Sequence, residues 1–129
     1  MEELELKQTQ EEIEENKTPI DPKDYQAIAK AAAEALDNKK GKDVKIVPVQ
    51  DKTDIAEFFV LATANSTTHV KSLRGEVEFR LEERGVKTLH VEGRDSNSWL
   101  ILDYAGVVVH IFSREAREYY NLDKLYDAQ

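Results

Sequence analysis

Residues Trp99 to Phe112 read WLILDYAGVVVHIF, and the rest of the chain is organised around them. Two apolar runs, Trp99-Leu100-Ile101-Leu102 and Val107-Val108-Val109-His110-Ile111-Phe112, flank a short break at Asp103-Tyr104-Ala105-Gly106. Runs rich in β-branched and aromatic residues, with Gly at the break, predict two antiparallel strands joined by a tight turn. Both runs are apolar at nearly every position instead of alternating, the pattern of strands covered on both faces, so helices are expected on each side of this hairpin. The hairpin should lie at the centre of the sheet, with a Trp, an Asp and a Tyr gathered towards its turn end.

Working outward towards the N-terminus, Val86 to Glu92 (VKTLHVE) predicts a further strand, followed by the polar loop Gly93 to Ser98. Val70, Leu73, Val77 and Leu81 mark the apolar stripe of a helix that ends at Gly85, with Phe79 off the stripe and Asn65-Ser66-Thr67-Thr68 offering N-caps. Phe58 to Ala64 (FFVLATA) is a short buried strand, parallel to Val86–Glu92 if the helix between them is a normal crossover. Val44 to Val49 is a strand interrupted by Pro48, which cannot donate to a ladder and so belongs at an edge. Tyr25 to Asn38 has helical spacing and is rich in alanine; Asp21 with Pro22 is the expected cap and first turn, and Gly41 the stop. Beyond the hairpin, Ser113-Arg114-Glu115 opens a short helix, and Asn121 to Tyr126 closes the pattern. The expected architecture is a single α/β domain over residues 21–129, with a mixed sheet of about five strands flanked by helices.

Composition narrows the function classes. The chain has 129 residues and a net charge of −8. Nine acids and three bases fall in residues 1–24, so the remainder is close to neutral. Residues 1–20 are expected to form an acidic, disordered tail, with too few apolar positions for a helical stripe. A general nucleic-acid binder would carry a basic face, so little direct nucleic-acid binding is expected and a basic protein partner fits better. Without cysteine there are no disulfides or thiolate metal sites. No apolar run approaches the roughly 20 residues of a membrane helix. No leader is visible, so the default expectation is a cytoplasmic location.

The chemical motifs are sparse. His69, His90 and His110 lack a second His at ligand spacing, and no metal or cofactor is expected. Ser66 and Ser72 lack a glycine elbow. The Asn65-Ser66 helix start has no glycine to admit a phosphate and no Gly-Lys-Ser/Thr sequence. Asp43, Asp51, Asp54, Asp95 and Asp103 offer no visible pair of converging carboxylates for magnesium, and Asp103 is expected to cap the hairpin turn. Trp99, Asp103, Tyr104, Arg117, Tyr119 and Tyr120 form the more informative set, because aromatic and Arg residues dominate protein-interface hot spots.

The segment EGRDSNSWLILDYAGVVVHIFSREAREYYNLDKLY resembles the signature of the Iojap family, the ribosomal silencing factors. Glu92-Gly93, Trp99, Asp103-Tyr104, Val107 to His110, Arg117, Tyr120, Leu122 and Leu125 fall on its pattern, and Thr53 to Val60 and Asn65 to Val70 resemble its upstream blocks. Two positions depart: the family's Gly-Asp after the Tyr is Ala105-Gly106 here, and its closing Trp is Tyr126. The resemblance implies a fold similar to nucleotidyltransferases but without their catalytic carboxylates, and no enzymatic activity. It further implies a translation repressor that binds the large ribosomal subunit through its bridge protein, number fourteen, and sterically blocks joining of the small subunit. The expected partner-binding residues are Trp99, Asp103, Tyr104 and Gly106, flanked by Arg117 and Tyr120. Self-association into a homodimer is an option for such an apolar surface when the partner is absent. The alternative is a nucleotide-binding or nucleotidyltransferase-like enzyme using the Asn65-Ser66 helix start and Asp103.

Overall fold

The computed structural model describes residues 17–93 and 97–127. Residues 1–16 of the expected tail and the candidate Asp95 lie outside the described residues. The element order is α1 (Tyr25–Asn38), β1 (Lys42–Pro48), β2 (Phe58–Thr63), α2 (Thr67–Glu83), β3 (His90–Glu92), β4 (Trp99–Asp103), β5 (Val107–Phe112), α3 (Arg114–Tyr120) and α4 (Leu122–Asp127). The five strands form one sheet in the order β1-β2-β5-β4-β3. β2 and β5 are parallel, while β1–β2, β4–β5 and β3–β4 are antiparallel. β3 therefore runs parallel to β2 without touching it, as a crossover through α2 requires. The hairpin strand β5 is central, and the Pro48 strand is an edge, both as the sequence predicts. Among the described residues, no helix is long and apolar enough to cross a membrane.

Strand alternation divides the sheet residues between two cores. One face carries Val60, Ala62, Val107, Val109, Ile111, Leu100 and Leu102 against α1 and α2. The other carries Val47, Phe59, Leu61 and Phe112 against Ala116 of α3 and Leu122 of α4. Helices do cover both sides of β5. On β4, however, burial alternates: Leu100 and Leu102 are buried, whereas Trp99, Ile101 and Asp103 are only partly so. The expectation of a doubly covered β4 is corrected here, since α3 and α4 are too short to reach across the whole second face.

Local boundaries also shift. Asp24, not Asp21, caps α1, its Oδ1 accepting from Ala27 N–H at 3.2 Å, while Asp21 organises the preceding turn by accepting from Lys23 N–H at 2.9 Å. β3 is shorter than the predicted Val86–Glu92. Val86 N–H is spent on Leu81 O at the end of α2 and the Thr88 hydroxyl on Tyr104, so ladder pairing begins only at His90.

The hairpin turn is closed by Tyr104 N–H donating to Val107 O at 2.8 Å, and Asp103 Oδ1 accepts from Ala105 N–H at 2.9 Å, the predicted turn cap. Ala105 has φ +69°, in the region that favours glycine. Gly106 is needed for a different reason: a Cβ there would lie 2.5 Å from the Tyr25 ring. An alanine thus occupies the strained position of the turn. Ala105→Gly should raise the unfolding free energy by about 0.5 kcal/mol, the strain relieved less the glycine entropy, whereas Gly106→Ala should lower it by about 1–3 kcal/mol through overpacking. Urea midpoints of the two variants check both signs.

Candidate functional site

The hydrogen-bond register lays out the second face of the sheet as three rows. The first row runs Val47, Phe59, Val108, Asp103, His90; the second runs Lys45, Leu61, His110, Ile101, Glu92; the third runs Thr63, Phe112, Trp99. The β1–β2 side of these rows is roofed by α3 and α4. The β4–β3 side is open, with Ile101 and Asp103 partly exposed and His90 and Glu92 exposed. The border between the two halves is aromatic. The Trp99 ring lies 4.4 Å from Tyr120, 5.1 Å from Phe112 and 5.8 Å from His110, centroid to centroid. His110 also meets Phe59 edge-on at 4.6 Å, and Tyr126 meets Phe59 at 4.9 Å.

The six predicted partner-binding residues do not share one surface. Trp99 and Tyr120 pack together, their rings tilted at 44°, at the start of β4, the end opposite the turn, so Trp99 is not part of the turn cluster that the sequence suggested. Asp103 faces the same side as Trp99, four residues along. Tyr104 points to the other face and is a core residue, 3% exposed, with its hydroxyl accepting from Thr88 Oγ1 at 2.7 Å. Burial pushes its phenol up to about 12, so it stays neutral. Gly106 packs on Tyr25, and its carbonyl accepts from Glu57 N–H at 2.8 Å and Phe58 N–H at 3.1 Å. Its role is structural.

Arg117 is likewise turned inward. Its Nε and Nη2 form a fork to the two oxygens of Asp123 at 2.7 and 2.8 Å. Nη1 donates to Thr63 Oγ1 at 3.0 Å and Nη2 also to Asp43 O at 2.9 Å. One guanidinium so ties α3 to α4 and both to β1 and β2. The hydrogen bonds from Arg117 hold the Asp123 carboxyl below its usual range. Arg117 thereby fastens the roof over the covered half of the face.

Ile101, Val108 and His110 were not singled out as site residues. Counting alternate positions from Trp99 would have placed Ile101 and Asp103 on its face, but the cross-strand position of His110 needs the register. The Trp99 indole Nε1–H donates to His110 Nδ1 at 3.0 Å. The neutral imidazole must then carry its proton on Nε2. That atom is buried and, among the described residues, has no hydrogen-bond partner, at a cost of about 1–3 kcal/mol. Burial lowers the His110 pKa to about 4. His69 is structural in the ordinary way, its Nδ1 accepting from Asn65 N–H and its Nε2 bonding Lys39 O, both at 2.8 Å.

The residues of the enzymatic alternative are held apart. Asn65 and Ser66 follow the Thr63–Phe112 end of the strands, where a crevice of about 570 Å³ is lined by Lys42, Asn65, Ser66 and Arg114. Asp103 lies at the Phe58–Val107 end, the length of β5 away. Among the described residues, no three His, Asp or Glu side chains gather as a metal site.

Two predictions follow from this geometry. Arg117→Ala should destabilise the fold by about 2 kcal/mol, as the loss of charge-assisted hydrogen bonds does, and Arg117→Lys should not restore it, because an ammonium cannot span the fork; urea unfolding checks both. Since the fold keeps His110 neutral, the unfolded chain takes up the proton first as pH falls. Stability present above pH 6.5 is therefore lost between 6.5 and about 4, by about 3 kcal/mol from this group. Unfolding titrations on His110→Phe should lack that component, leaving the loss from Asp123 at lower pH.

A family model described as ribosomal silencing factor during starvation matches residues 22–129. A Bacillus subtilis protein named ribosomal silencing factor RsfS is 33% identical over 100 residues, covering 78% of this chain and 85% of that one. A Chromobacterium violaceum protein of the same name is 35% identical over 106 residues, covering 82% and 87%. A crystal structure from Chromobacterium violaceum superposes with a TM-score of 0.76 at 36% identity, covering 81% of this chain and 87% of that one. With nearly all of the α/β domain matched in sequence and in structure, the chain belongs to the ribosomal silencing factor family.

Proposed function

We propose that this chain acts in the cytoplasm as a non-enzymatic repressor of translation. It binds the large ribosomal subunit through the bridge protein, number fourteen, and sterically prevents the small subunit from joining. The observation that carries this reading is the open half of the second sheet face. It presents Trp99, Ile101 and Val108, beside Tyr120, which is 47% exposed. Its rim bears Asp103 and Glu92. An apolar centre with aromatic anchors and a charged rim is the anatomy of a protein interface. The acidic rim suits a basic ribosomal protein and disfavours bare phosphate.

In this arrangement Trp99 is the anchor, Tyr120 supports its ring, and Asp103 combines turn capping with the rim charge. Tyr104, Gly106 and Arg117 contribute by shaping the hairpin and the roof.

The test is sedimentation of the purified chain with separated ribosomal subunits on sucrose gradients. Co-migration with the large subunit alone, with fewer joined ribosomes, is expected. Trp99→Ala, checked for folding, should weaken large-subunit binding by about 2 kcal/mol, roughly thirtyfold. A folded variant that binds undiminished would remove the anchor assignment.

A further inference from the structure

The geometry points to His110 as a positioning residue for the Trp99 anchor; this deepens the docking reading above and rests on it. His110 and Trp99 are diagonal neighbours on one face of the β4–β5 pair, because Trp99 lies opposite Phe112 and Ile101 opposite His110. Diagonal pairs are within reach for aromatic side chains. The indole Nε1–H donates to His110 Nδ1 at 3.0 Å while the Phe112 and Tyr120 rings pack against the indole at 5.1 and 4.4 Å. The hydrogen bond adds a directional restraint to these ring contacts, because it fixes one atom of the ring.

The chemistry of the His110 position supports the role. It is 5% exposed, and among the described residues its Nε2 has no partner. A phenylalanine would meet the Phe59, Trp99 and Phe112 rings in the same place without burying a ring N–H. What phenylalanine lacks is an acceptor at the δ position. That acceptor is used by Trp99. The interaction also consumes the indole's single donor, so Trp99 meets its partner as an apolar surface already locked in one orientation. An anchor ordered beforehand loses less side-chain freedom on binding.

Two substitutions in the full chain separate the hydrogen bond from the packing. His110→Phe keeps an aromatic ring and removes the acceptor. His110→Asn removes the ring and keeps an acceptor, Oδ1, near the Nδ1 position. Trp99 is the only tryptophan, so one indole N–H resonance in a ¹H–¹⁵N spectrum reports its exchange with water in the free protein. His110→Phe should fold at least as stably as the parent, expose the indole N–H to exchange, and bind large subunits about fivefold to tenfold more weakly, the scale of one side chain's ordering cost. His110→Asn should be less stable yet retain indole protection and most of the affinity. In a Trp99→Phe background, His110→Phe should have no further effect on binding. Parental affinity for His110→Phe, or affinities that rank with stability instead of with the acceptor, would overturn the positioning role while leaving Trp99 as the anchor. Undiminished binding by folded Trp99→Ala would instead remove the docking reading, and the positioning role with it.

Discussion

β5 has to be covered on both of its faces. It is hydrogen-bonded to β2 on one side and β4 on the other, and five of its six residues are buried. A strand of this kind cannot remain in water on either face, so the chain must supply two layers. The first layer is generous: α1 and α2 together roof the sheet from β2 to β4. Among the described residues, the second comes from Val49 and Ala56 beside the β1–β2 connection and from α3 and α4, two helices of 7 and 6 residues. That is enough to cover β5 and β2 but not β4 and β3.

Such short helices have little stability of their own, which explains the concentration of interactions on Arg117. Ser113 caps α3 by accepting from Ala116 N–H at 3.1 Å, and Asn121 takes a left-handed conformation, φ 48°, to end it. The guanidinium then joins both helices to the ends of β1 and β2. The aromatic border lies along the free edge of this roof, where Tyr120 packs against Trp99. The stability of the roof and the geometry of the exposed anchor are consequently coupled through one helix.

Much of this was legible in the residues. The apolar runs of the hairpin, the stripe Val70-Leu73-Val77-Leu81 and the proline in β1 identified the elements and placed β5 at the centre. The signature blocks around Trp99 and Asp103 identified the family. What sequence could not supply was facing and register. Tyr104 and Asp103 are adjacent and equally polar at one end, yet strand alternation sends one into the core and the other to the surface. Arg117 looked like an interface arginine because its partners Asp43, Thr63 and Asp123 are brought to it only by tertiary contacts. His110 read as an ordinary structural histidine, and its tie to Trp99 exists only through the antiparallel pairing of β4 with β5.

The two edges of the sheet have a consequence for how this molecule meets others. β1 ends in Pro48, whose nitrogen has no hydrogen to offer, and β3 is three residues long, with exposed His90 and Glu92 held as a pair at 3.3 Å. Neither edge is a good template for another strand, the commonest route by which sheets stick together. A half-uncovered apolar face would ordinarily invite aggregation, but here its neighbouring edge is short and charged, so backbone pairing cannot extend from it. Association is thereby confined to side-chain recognition on the face, where shape and charge discriminate between partners and an indiscriminate strand ladder does not.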